Sequence, residues 1–186
     1  YRVAAAMEAF EPAVGRMRRE VLDMGKGLGA VGDSCFREDE HRRFWWVVSH
    51  LQASATHRFN RPVTLQLTYP ISLMEDVVGS AERSLSERGV DHTLLVHAGT
   101  GACVIILSGD SVGGRGGGAA VSLIRDLLAR CRENGGNLII QSAPSDLKPK
   151  LRMWGEPGLD LIVMERIKRE LDPSGIFSPG RFVGGL

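Results

Sequence analysis

Gly27-Leu28-Gly29-Ala30-Val31-Gly32 fits the G-x-G-x-x-G pattern. The chemistry of that pattern is to hold a pyrophosphate on the amides of a helix start, which needs a strand before the glycines and a helix after them. Here the apolar periodicity places a helix before and a strand after, so the run reads as a helix C-cap and turn. A second glycine run, Gly109 to Gly118, does lie between a strand and a helix and contains Gly114-Arg115-Gly116-Gly117-Gly118-Ala119. Amides at that helix start could hold an anion. The unit around it reads as antiparallel, and no acidic residue is well placed after the next strand, which favours a flexible loop. The five histidines, His41, His50, His57, His92 and His97, have no carboxylate or cysteine beside them at metal-ligand spacing. His92 and His97 bracket one strand with opposite parity and so point to different faces. Neither a G-x-S-x-G nucleophile elbow nor a G-x-x-x-x-G-K-[ST] phosphate loop occurs. The most specific spacing comes at the end, in Leu171-Asp172-Pro173-Ser174-Gly175-Ile176-Phe177-Ser178-Pro179-Gly180-Arg181-Phe182. Asp172-Pro173 stops a helix, Gly175 permits a left-handed turn, and Pro179-Gly180 makes a second turn. A segment that bends twice at fixed offsets, with Ile176 and Phe177 as apolar anchors, is built to dock.

The elements that must carry these residues can be read from periodicity. Val63 to Tyr69 alternates apolar and polar, a strand with one buried face, and Pro70 ends it. Ser72 with Glu75 then forms a capping box for a helix whose inner face is Met74, Val77, Val78, Ala81 and Leu85, closed by Gly89. Two apolar runs, His92 to Val96 and Cys103 to Leu107, flank Ala98-Gly99-Thr100-Gly101 and form a hairpin. Val121, Ile124, Leu127, Leu128 and Cys131 mark another helix, and Leu138-Ile139-Ile140 a last strand. The order β-α-β-β-α-β predicts an α+β fold, a ferredoxin-like antiparallel sheet with helices on one face. Residues 1–61 read as a partial second β-α unit, with strands at Arg2 to Phe10 and Val31 to Phe36 and helices from Glu11 to Met24 and Glu38 to His50. Residues 62–143 form the ferredoxin-like unit. Residues 144–186 hold a helix from Pro157 to Leu171 and the bent tail.

A formal charge of +1 offers no electrostatic footprint for nucleic acid, and 43% hydrophobic residues allow a real core. Cys35, Cys103 and Cys131 are odd in number and widely spaced, which argues against a disulfide framework and for a reducing, cytoplasmic setting. Cys103 and Cys131 sit in apolar runs and read as buried small hydrophobes.

Met164 to Arg181 resembles the C-terminal signature of FAD-linked oxidases of the vanillyl-alcohol oxidase type, whose chains commonly end in a helix and then "DP-x-G-I-x-N-P-G-[RK]". The ending Gly180-Arg181-Phe182-Val183-Gly184-Gly185-Leu186, with Trp154-Gly155 upstream, is similar more narrowly to the FAD-binding subunit of bacterial glycolate oxidase. The resemblance implies the cap domain and C-terminal segment of an oxidoreductase in which flavin accepts hydride from a 2-hydroxy acid. It implies Ser178, Gly180 and Arg181 nearest the FAD and His97 at the edge of the substrate pocket. The partners it implies are an N-terminal FAD-binding domain outside this sequence, together with sister oxidase and iron–sulfur subunits that could tie the protein to a membrane. Without that domain, the segment from about Phe177 onward is expected to be disordered or ordered only by neighbours. Two departures stand out. Ser178 occupies the usual asparagine position. The relatives' metal-binding "HxGDGNxH" and "GEHG" are replaced by His97-Ala98-Gly99-Thr100-Gly101-Ala102-Cys103-Val104 and Ile140-Gln141-Ser142-Ala143, so no metal is expected. Those losses raise the alternative of a non-catalytic scaffold or electron-transfer subunit.

Overall fold

A computed structural model describes residues 1–109 and 118–186, apart from the side chains at positions 55 and 56. The described residues form two compact units, Tyr1–Ser49 and His50–Leu186.

The first unit holds two helices, α1 (Glu11–Gly27) and α2 (Glu38–Ser49). Pro12 lies in the first turn of α1, where its missing N–H costs nothing. Gly29 takes a φ of +84° and Ala30 N donates to Gly25 O at 2.9 Å, so the first glycine run is a helix end. The two strands expected in this region do not form: residues 2–10 and 31–36 lie outside every strand, and Val3 and Val31 are fully exposed. A strand needs a ladder for its N–H and C=O groups, and every described strand is paired within one sheet in the other unit. Phe36 stacks on Phe44 at 5.2 Å, and Phe44 meets Trp45 edge-on at 5.3 Å.

The second unit opens with α3 (Leu51–Arg58) and continues as β1 (Val63–Thr68), α4 (Met74–Glu87), β2 (His92–His97), β3 (Ala102–Leu107), α5 (Gly118–Glu133), β4 (Asn137–Ser142) and α6 (Leu161–Leu171). The strands are antiparallel in the order β2-β3-β1-β4, the arrangement of a ferredoxin-like split unit. Alternation along β1 is the cause of the layering. Val63, Leu65 and Leu67 are buried in one core with Val77, Ala81 and Leu85 of α4 and Leu123, Ile124 and Leu127 of α5. Cys103 and Cys131 belong to that core, as their apolar runs imply.

The opposite face of the sheet receives α3, where Phe59 packs on Ile106 and Val104. The capping box at Ser72 does not form. Ile71–Leu73 is a 3₁₀ turn, Leu73 N donates to Pro70 O at 2.8 Å, and α4 begins after it without a side-chain cap. The tight turn that Pro70 initiates satisfies the backbone first. The glycine run Gly114 to Gly118, except for Gly118 itself, lies outside the described residues.

Candidate functional site

The terminal helix α6 starts at Leu161, later than periodicity predicted, because Pro157 and Gly158 precede a turn in which Leu161 N donates to Gly158 O at 3.2 Å. It ends at Asp172, as the following proline requires. The Asp172 carboxylate then organises the chain beyond the helix. Its Oδ1 accepts from Ile176 N at 2.9 Å and its Oδ2 from Phe177 N at 3.0 Å, and Oδ2 also pairs with Lys168 one helical turn back. Lys168 Nζ donates in addition to Phe177 O at 2.6 Å. Asp172 is buried while the residues on either side of it are exposed. The Lys168 ammonium, followed by the Ile176 and Phe177 amides, holds its carboxyl below the usual carboxylate range against the opposing effect of burial.

Past this knot comes the turn Ser178-Pro179-Gly180-Arg181, in which Arg181 N donates to Ser178 O at 3.2 Å. Gly180 has a φ of +71° and Ser178 one of +47°, the left-handed region where asparagine is enriched and serine is uncommon. The chain then folds back. Trp154 Nε1 donates to Arg181 O at 3.1 Å, and the Trp154 ring meets Phe182 edge-on at 4.9 Å. Gly184 lies so close to Leu161 that a Cβ there would come within 2.6 Å of its Cδ1. The expectation of disorder from Phe177 onward is therefore corrected: the segment has turns and contacts of its own, made with Trp154 and α6. The sequence carried a signal for this in Lys168 and Asp172 four residues apart, followed by free amides.

Ser178, Gly180 and Arg181 are thus brought into one exposed turn. The Ser178 hydroxyl, the Gly180 N–H and the Arg181 guanidinium have no hydrogen-bond partner among the described residues. A hydroxyl, an amide and a guanidinium suit the phosphate and carbonyl oxygens of FAD, so the donor set fits that cofactor.

His97 lies elsewhere. It ends β2 on the sheet face away from α4 and α5, in register with Ala102, and its carbonyl accepts from Thr100 N at 3.1 Å. No hydrogen bond joins it to the tail turn. Gln141, at the second place where the relatives carry metal ligands, is on β4. Three strand spacings separate β2 from β4, ~14 Å. Among the described residues, no three His, Cys, Asp or Glu side chains gather at metal-ligand range. Gln141 instead joins an amide chain that the sequence did not announce: Gln52 of α3 donates to it at 2.6 Å, and it donates to Gln66 of β1.

Residues 147–182 match the family model described as FAD linked oxidases, C-terminal domain. The matched stretch contains the whole of α6, the Asp172 knot and the Ser178–Arg181 turn, and it leaves out the sheet and His97. It supports that domain family for the end of the chain. No curated protein matches the chain. None of the described helices is long and apolar enough to cross a membrane.

Proposed function

We propose that this chain is the cap domain and C-terminal segment of an FAD-linked oxidase, similar to the FAD-binding subunit of glycolate oxidase, acting on a 2-hydroxy acid. The observation that carries the reading is the match over residues 147–182, which coincides with a pre-shaped turn whose three donors are free. In this reading Ser178, Gly180 and Arg181 hold the cofactor, and the Asp172 knot fixes the angle at which α6 delivers them. Arg181 is positioned through its own carbonyl on Trp154, which leaves its guanidinium for an anionic group. His97, on the sheet face away from α4 and α5, borders the substrate. FAD, when bound, supplies the hydride acceptor, and the protein contributes binding, orientation and exclusion of water.

The apolar residues Leu159, Ile162, Val163, Ile167, Leu171 and Phe177 are all exposed along α6 and the tail. An apolar stripe of this extent is suited to burial against a flavin-binding domain. A scaffold or electron-transfer role is the second reading, favoured by the engagement of Gln141 in the Gln52–Gln66 amide chain where the relatives carry metal ligands.

The two readings separate in one experiment on the parent protein carrying a flavin domain. FAD is titrated in, and the flavin absorbance is followed on adding glycolate or D-lactate without sister subunits. Bleaching on substrate addition supports the oxidase. Stable flavin binding without bleaching supports the scaffold. Failure of Arg181→Ala and Ser178→Ala together to weaken FAD binding would remove the tail turn from the cofactor site.

A further inference from the structure

The geometry points to a second ligand site, a cleft for a small amphiphilic anion between α5, β4 and the segment from Lys150 to Glu156. The cleft has a volume of about 490 Å³, within the ordinary range for small-molecule sites. Its floor is apolar, made by Leu138 and Ile140 of β4 with Leu128 of α5 and Leu151 opposite. Its rim carries Arg125, Arg132, Lys150 and Arg152 against the single carboxylate of Glu156. The whole chain has a formal charge of only +1, so the rim concentrates positive charge that the rest of the molecule balances.

The cations are not equivalent. Arg152 pairs with Glu156. Lys150 lies near Asp146, whose carboxyl it helps to hold below the usual range after the larger effect of Arg61. Arg132 donates to the Glu156 carbonyl at 3.1 Å, which orients the guanidinium without neutralising it. Arg125 is exposed and has no hydrogen bond or ion pair among the described residues. Among the described residues, two guanidiniums on one side of α5 therefore remain without a carboxylate at the mouth of an apolar trough.

The outer wall is held in place. Ile140 N donates to Met153 O at 2.6 Å, so the segment runs along the edge of β4. Gly155, at a φ of +74°, passes so close to Leu138 O and Asn137 Oδ1 that a Cβ would stand 2.9 Å from each. A trough with fixed walls, an apolar floor and guanidiniums at its lip suits a carboxylate on a short apolar chain. The guanidiniums take the carboxylate, and the chain lies over Leu128 and Leu151.

The test is calorimetric titration of the intact chain with sodium octanoate at low salt, beside 1-octanol and inorganic phosphate. Saturable octanoate binding is expected. It should weaken about tenfold or more in Arg125→Ala, as for loss of one charge-assisted contact, and be largely retained in Arg125→Lys. Arg125 makes no hydrogen bond or ion pair among the described residues, so circular dichroism of both variants should match the parent. Octanol binding as tightly as octanoate overturns the anionic part of the proposal. Phosphate binding as tightly as octanoate overturns the apolar part. No saturable binding, or equal affinity in the folded Arg125→Ala protein, overturns the site.

Discussion

The Asp172 carboxylate takes two backbone N–H groups and an ammonium at once, and the shape of the tail depends on its charge. A carboxyl with a lowered folded pKa contributes stability above its unfolded pKa, about 3.9, and loses it as pH falls through the folded value. The amide chemical shifts of Ile176 and Phe177 should therefore stay constant from neutral pH down to about 4 and move below it. In Asp172→Ala they should hold the loosened positions at every pH. Unchanged shifts in the alanine variant would mean that the turn forms without the knot. The thiols give a second residue-scale prediction. Burial raises Cys103 to about 12, with the neighbouring Cys131 adding to it, and raises Cys131 to about 11, while Cys35 is exposed. At pH 8 an aromatic disulfide reagent should titrate one thiol in the native protein and three after unfolding, and Cys35→Ser should abolish the native reaction.

At the scale of elements, the close approach of the β2–β3 hairpin to the end of β1 decides the sharpest outcome. Gly101 has a φ of +63°, and a Cβ there would lie 2.1 Å from Tyr69 O, the carbonyl of a residue whose own N–H donates to Gly101 O at 2.8 Å. Gly101→Ala should cost about 2–3 kcal/mol or more in urea unfolding, whereas Gly99→Ala, with open space around it, should be close to neutral. The sheet to which this hairpin belongs was legible in the sequence because β1 is central and buries one face against α4 and α5, which leaves a period-two pattern from Val63 to Tyr69. The turns of the tail were legible for a local reason, since Asp172-Pro173 and Pro179-Gly180 restrict the backbone by themselves. What the sequence hid depends on partners far along the chain. Gln52, Gln66 and Gln141 meet only after α3 crosses the sheet. Residues 2–10 and 31–36 have strand-like composition but no strand to pair with. Ser178 departs from the usual asparagine of the tail signature. Its positive φ shows that the usual asparagine also suits the backbone there, so Ser178→Asn should stabilise the turn by up to about 1 kcal/mol.

For the whole molecule, the two compact units differ in what holds them. The unit His50–Leu186 buries a continuous core, from Val63 and Leu65 of β1 to Leu138 and Ile140 of β4. In the unit Tyr1–Ser49 neither α1 nor α2 has a buried residue, and the described packing is an aromatic group of Phe36, His41, Phe44 and Trp45. With neither helix burying a residue, this unit should open far more readily than the other. Trypsin has targets there at Arg16, Arg18, Arg19, Lys26, Arg37, Arg42 and Arg43. Brief digestion of the intact chain should cut at these sites first and leave a resistant product that begins at Phe44 or, after a further cut at Arg58, at Phe59. That product should keep the cooperative urea transition of the sheet. Protection of the α1 and α2 sites equal to that of Arg88 or Arg125 would overturn the expectation that the first unit opens first.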